Sequence, residues 1–287
     1  MNVRKGVPAT FSANVLLSEV ERVANRAGDP LALFYCKALL SDRQVMRTGD
    51  LRAFLARTED LLVGKIPMAS VLSTSAATTR LYLAQIGNAL DQLAAEAAEP
   101  QFSNHWKNML QPNLFAGTAL AGQADRARAL WSTVQPYLPV LGRRNIVGAW
   151  IALEAAVTGL ALLDDRESCG ALYPLTVVLA ETGLIRDPFG AAVGPTTPQL
   201  VAALAADAAG HADRARAHFE TALRQARELP HRILQPTVLY WYGRALADTS
   251  DVPEQARGRA MVEAALTDFR ALEMVTHATL AEQFLRR

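Results

Sequence analysis

A nine-residue segment of this chain occurs twice. Residues 121–129 read AGQADRARA and residues 209–217 read AGHADRARA, so only Gln123 and His211 differ. A near-copy displaced by 88 residues marks an internal repeat, and a repeat restricts the fold to stacked, self-similar units. The displacement divides into two steps of 44. Midway lies DRESCGALYPL, where Ala171, Leu175 and Val178 match Ala127, Trp131 and Val134 on one side and Ala215, Phe219 and Ala222 on the other. Each triplet falls at i, i+4, i+7, the stripe that seats one helix against its neighbour. A further step of 43 carries Ala222-Leu223 onto Ala265-Leu266. Toward the N-terminus, Gly122 is matched with Gly87 and Gly49, each closing one helix and opening the next.

The periodicity predicts helices over 12–27, 31–47, 50–63, 69–86, 88–98, 103–121, 124–138, 144–163, 167–182, 198–209, 212–228, 234–248, 254–271 and 275–286. No stretch alternates with period two, so no sheet is expected. Asp125 and Asp213 fall in first turns, where a carboxylate meets the positive end of the helix dipole. The organisation expected is one domain over 1–287. Irregular hairpins occupy 1–100 and more regular repeats 101–287, with a long connection at 183–198. That connection, GLIRDPFGAAVGPTTP, is unusually long for a helical stack. Its Leu184, Ile185, Phe189 and Val193 suit it to cover an apolar surface.

The hairpin Leu204–Leu223, with Gly210, Ala215, Phe219, Ala222 and Leu223, resembles the second half of a tetratricopeptide (TPR) repeat. Leu239, Tyr242, Gly243 and Leu246 resemble the first half. Over residues 100–285 the order of features looks like a more specific relative. These are ALYPL, Pro188-Phe189-Gly190, AAGHADRARAHFETAL, LYWYGRAL and the closing ALTDFRALEM. The order is similar to the TPR-like C-terminal region of bacterial signalling proteins. Those proteins join an AAA/STAND-type ATPase to a class III nucleotidyl cyclase or to a LuxR-type DNA-binding domain. The resemblance implies an all-α, right-handed αα-superhelix, a TPR-like solenoid of six to seven hairpins. It also implies a cytoplasmic sensor or scaffold arm in signalling. The ATPase itself is not implied, since no G-x4-G-K-[ST] occurs: Gly64-Lys65 is followed by Ile66. No strands carry a cyclase's metal-binding aspartates, and no helix-turn-helix follows the last helix before Arg287.

Composition narrows the function classes. The net charge is +1 with both signs interspersed, so no basic stripe points to nucleic acid. The first residues, MNVRKGVPATFSANVLL, lack the apolar core of a signal peptide. The apolar run Ile146–Leu163 is interrupted by Glu154 and Thr158, and reads as a buried helix and not a membrane span. Cys36 and Cys169 read as buried free thiols of a reducing compartment.

Chemistry-bearing clusters are weak. His211 and His218 share a helix face but stand two turns apart, too far for one tetrahedral ion. His105, His231 and His277 fall near helix ends, and no H-E-x-x-H or C-x2-C is present, so neither a metal nor another cofactor is expected. Asp164-Asp165 reads as a turn before a helix. Ser73-Thr74-Ser75 and Thr78-Thr79 have no base beside them to activate a hydroxyl. The most informative cluster is aromatic, Tyr240-Trp241-Tyr242. If Leu239, Tyr242, Gly243 and Leu246 face the neighbouring helix, Tyr240 and Arg244 turn to the concave side. There they could stack a planar group or grip a carboxylate. The competing reading packs Tyr240 under the next hairpin.

The expectation is therefore a non-catalytic regulatory module that recognises a peptide, protein segment or effector in its concave groove. The alternative is a small-molecule sensor pocket closed by the 183–198 loop, and a less favoured one an enzyme on a helical scaffold. Candidate ligand-binding residues are Tyr240, Arg244, Trp150, Phe189 and Trp106. The oligomeric state is left open by the sequence.

Overall fold

One kind of turn recurs along the chain. Gly49, Ala84, Gly122, Asp164 and Gly210 all adopt left-handed backbone conformations, with φ of 73°, 60°, 75°, 56° and 77°. Around Gly122, its N–H donates to the carbonyl of Ala119, and the N–H of Gln123 reaches back to Thr118. The same pair of bonds recurs at Ala84, Asp164 and Gly210. This is the Schellman closure, which satisfies the last carbonyls of a helix and reverses the chain at once. Side-chain caps start several of the helices that follow. Asp50 accepts from the Ala53 N–H, Asp165 from Ser168 and Thr197 from Leu200, each relieving an orphan donor of the first turn.

The computed structural model describes residues 9–63, 69–98, 104–183, 196–229 and 231–287, without the side chains of 9–15, 69–71 and 104–108. Its described residues form α-helices and one short 3-10 turn at Gln135–Tyr137. The helices are α1 (Ala9–Ala27), α2 (Pro30–Thr48), α3 (Leu51–Leu62), α4 (Ala69–Tyr82), α5 (Ile86–Ala98), α6 (Asn104–Leu120), α7 (Ala124–Val134) and α8 (Val147–Leu162). They continue as α9 (Arg166–Ala171), α10 (Tyr173–Glu181), α11 (Pro198–Ala208), α12 (Ala212–Glu228), α13 (Leu234–Ala247), α14 (Val252–Ala271) and α15 (Val275–Leu285). The chain is all-α, as expected. No described helix is long and apolar enough to cross a membrane. Cys36 and Cys169 are free and buried.

Three local readings change. The helix expected over 167–182 is broken at Leu172, because Pro174 has no N–H to give to the carbonyl of Gly170. Gly87 lies inside α5, and the preceding turn is made by Ala84. The middle repeat is also displaced by two residues. Counting from the turn residues Gly122, Asp164 and Gly210, the buried small position is Ala127, Cys169 and Ala215, and Ala171 is exposed. The aromatic position four residues on is Trp131, Tyr173 and Phe219, and the next is Val134, Thr176 and Ala222. The steps are thus 42 and 46 residues. A two-residue shift in each direction cancels over 88, which is why an even division looks acceptable in sequence.

Each helix packs on the next, and α6, α8, α11 and α13 also pack on one another in that order. α8 and α11 are buried nearly all round, so their sequences lack a polar face. The ends of the chain also meet, which separates this molecule from an open stack whose units touch only their neighbours. The Arg232 N–H donates to the carbonyl of Met46 at 2.9 Å. Arg52 pairs with Glu273 at 2.6 Å. The Thr276 hydroxyl donates to the carbonyl of Leu81, and the ring of His277 meets Tyr82 edge-on at 4.9 Å. The α2–α3 turn and the end of α4 therefore rest on the α12–α13 and α14–α15 connections.

Candidate functional site

Tyr240, Trp241 and Tyr242 leave α13 about 100° apart, so they enter three environments. Tyr242 stacks on Phe219 with centroids 5.0 Å apart and donates from its hydroxyl to Glu220. Tyr240 turns inward against Phe269 and is only 3% exposed. Burial pushes its phenol above the ordinary range, with the Arg244 charge opposing. Of the two readings of Tyr240, the open concave-side placement is corrected and packing under the next hairpin matches the structure: it is a core residue beneath the α14–α15 hairpin. Its partner is as expected, since Arg244 Nη1 lies 3.5 Å from the Tyr240 hydroxyl. The guanidinium also lies 5.0 Å from the Trp241 ring and 5.9 Å from Phe284. Trp150 packs half-buried against the core. Trp106 belongs to α6, but its side chain lies outside the described residues, as does Phe189.

Trp241, absent from the expected site, is the wall between two cavities. The first is interior, bounded by Ala116, Leu120, Thr158, Leu162, Leu200, Thr237, Tyr240, Trp241 and His277 among others. Its water-accessible interior is about 20 Å³. Two buried polar atoms of its lining residues, Thr196 Oγ1 and His277 Nδ1, have no hydrogen-bond partner among the described residues. Burial lowers the His277 pKa to about 3, so the ring is neutral at pH 7.

The second cavity opens at the turn end of the repeats, and its water-accessible space is about 40 Å³. Leu160, Leu204, Phe219 and Trp241 form its floor. Asp164, Asp165, Asp207 and Asp248 surround it with Arg166 and Arg244, four carboxylates against two guanidiniums. Arg166 pairs with Asp207 at 3.1 Å. Asp207 has its pKa raised by burial, with Arg166 opposing. Asp165 is engaged as the α9 cap. Asp164 and Asp248 have no ion-pair partner among the described residues. The C-terminal ends of α8, α11 and α13 converge here and add their own negative potential. The sequence carried one signal for this pocket. Asp164, Asp207 and Asp248 all stand at helix C-termini, where the dipole disfavours a carboxylate.

Burial pushes the Cys169 thiol up to about 12, so no thiolate forms near neutrality. Among the described residues no three His, Cys, Asp or Glu side chains are grouped to hold a metal ion. The two histidines on one face of α12 are separated by a tyrosine. Tyr173 lies 5.3 Å from the His211 ring and 3.5 Å from His218 Nε2, while Gln199 holds His218 Nδ1 at 2.8 Å. The chain matches no protein-family model, and no curated protein is significantly similar to it.

Proposed function

We propose that this chain is a non-catalytic binding and regulatory module, a right-handed αα-superhelix of TPR-like hairpins that serves as a sensor or scaffold arm. Its recognition point is the turn-end pocket and not a concave groove. The observation that carries this reading is the pairing of an apolar floor with two unpaired carboxylates, Asp164 and Asp248, at three converging helix C-termini. Such a site suits a protein segment that presents an aliphatic side chain beside a Lys or Arg. Arg244, held over Trp241, can accept a carboxylate or carbonyl of the same segment. Tyr240, Trp241 and His277 narrow the space between α6, α8, α11 and α13 to the interior cavity described above.

The test is fluorescence anisotropy with short labelled peptides, basic-apolar and acidic-apolar. Basic-apolar peptides bind, and Asp164→Lys with Asp248→Lys weakens them roughly tenfold or more. Equal binding of both peptide classes, or binding unchanged in that variant, would count against the pocket.

A second reading places a small neutral effector in the interior cavity, favoured by the unpartnered Thr196 hydroxyl and His277 nitrogen. The cavity's size restricts it to a molecule of a few heavy atoms or to water. Thermal-shift screening with such molecules decides: a shift abolished by Thr196→Val supports an effector site, and no shift removes it.

A further inference from the structure

We infer that the segment received by the turn-end pocket is the Val140–Val147 loop of a second copy of this chain, an inference that rests on the pocket reading above. The loop joins the 3-10 turn after α7 to α8. It presents four aliphatic side chains to solvent: Val140, Leu141, Ile146 and Val147 are 51%, 52%, 44% and 48% exposed. Exposed aliphatics this dense within eight residues mark a contact surface. The loop is also rigid. Asn145 accepts from the Val140 N–H at 2.9 Å and donates to the carbonyls of Val140 and Arg143 at 2.9 and 3.1 Å. Docking it therefore costs little ordering entropy. Arg143 and Arg144 stand between the aliphatic pairs, both exposed, and neither is ion-paired among the described residues.

The loop is thus aliphatic and cationic, and the pocket is apolar-floored and anionic. They cannot meet within one molecule. α8 begins at the loop and ends at Leu162, two residues before Asp164, and its 16 residues separate the two by about 24 Å. The contact is therefore between molecules and head-to-tail, with different surfaces on the two partners. The same chemistry already closes the chain on itself. There Leu272 lies against the Gly49 turn beside the Arg52–Glu273 ion pair, so a helix-turn end receives a connection from the opposite end of a hairpin.

The experiment is sedimentation velocity of the full chain over a concentration series at low and high salt, with two charge-reversed variants. One is Arg143→Glu with Arg144→Glu; the other is Asp164→Lys with Asp248→Lys. All four positions lie outside the core, and unchanged circular dichroism melts establish that both variants fold. The wild type associates with rising concentration, less so at high salt. Each variant alone is a monomer, and an equimolar mixture of the two restores association, because each supplies the surface complementary to the other's. A wild type that stays monomeric, or a mixture that does not associate, overturns the proposal. So does a monomer that floats with anionic vesicles through Arg143 and Arg144, which assigns the loop to a lipid surface. A synthetic peptide of residues 138–148 separates the two levels. If it binds wild type but not the Asp164/Asp248 variant while the chain remains monomeric, the pocket reading survives without the second copy. If it does not bind while other basic-apolar peptides do, the second copy falls and the pocket reading survives; if none of them binds, both fall.

Discussion

At Gly243 and Gly258 the backbones of α13 and α14 touch. A β-carbon on Gly243 would stand 2.6 Å from the Gly258 carbonyl oxygen, and one on Gly258 would stand 2.5 Å from the Gly243 oxygen. Gly243→Ala is therefore expected to destabilise the protein by about 1–3 kcal/mol, as overpacking does, read as a lower denaturation midpoint in urea. Gly87 is the contrast. It lies in α5 with nothing within 4 Å of its would-be β-carbon and no positive φ. Gly87→Ala should leave stability unchanged or raise it by up to about 1 kcal/mol, and a lower midpoint would contradict its helical placement. These two positions also show what was legible one residue at a time. Gly243 is readable from its TPR-like surroundings, since only a bare α-carbon permits that helix approach. Gly87 is misleading because turns here also use residues with side chains. Ala84, Asp164 and Glu273 all adopt positive φ, and of these only Asp164 belongs to a residue type that points to a turn.

The α14–α15 hairpin decides more of the candidate site than α13 does. Its Phe269 and His277 cover Tyr240 and the interior cavity, and they lie 29 and 37 residues downstream of Tyr240. Helical periodicity orders residues around one axis and says nothing about a later hairpin that folds over them. The pairing of Tyr240 with Arg244 on one stripe was legible for this reason, being local at i, i+4, whereas the burial of Tyr240 was legible only as one of two readings, and the residues that cover it were not. His277 gives the hairpin a pH dependence. Its folded pKa of about 3 lies below the ordinary value near 6.5, so the unfolded chain binds the proton more readily. The stabilisation from the neutral ring is complete above pH 6.5 and is lost as pH falls toward 3. At about 1.4 kcal/mol per pH unit, wild type should lose roughly 2 kcal/mol more than His277→Phe between pH 7 and pH 5. Urea denaturation of both proteins at the two pH values measures this. An equal loss would show that His277 is not held neutral by burial. Glu96 acts in the opposite sense. Burial raises its pKa to about 8, so its stabilisation is present below the ordinary carboxylate pKa and is lost as pH rises through 8. Glu96→Gln should therefore reduce the decline in stability between pH 6 and pH 9, and an unchanged decline would contradict its burial.

For the whole molecule, the repeat made the all-α class and most helix boundaries legible from sequence alone. The meeting of the chain's ends was not legible. It depends on contacts such as Arg232 with Met46 and Thr276 with Leu81, between segments that share no sequence pattern. That closure shifts the account of function, because it narrows the space between the helix rows to the interior cavity, while the turn-end pocket stays open with an apolar floor among the described residues. The most direct test is hydrogen–deuterium exchange of the full chain with and without the peptide of residues 138–148. The account predicts slowed exchange confined to the turns and adjoining helix ends at 163–166, 207–211 and 245–250. Protection along the mid-helix segments of α6, α8 and α11, with those turns unaffected, would contradict it.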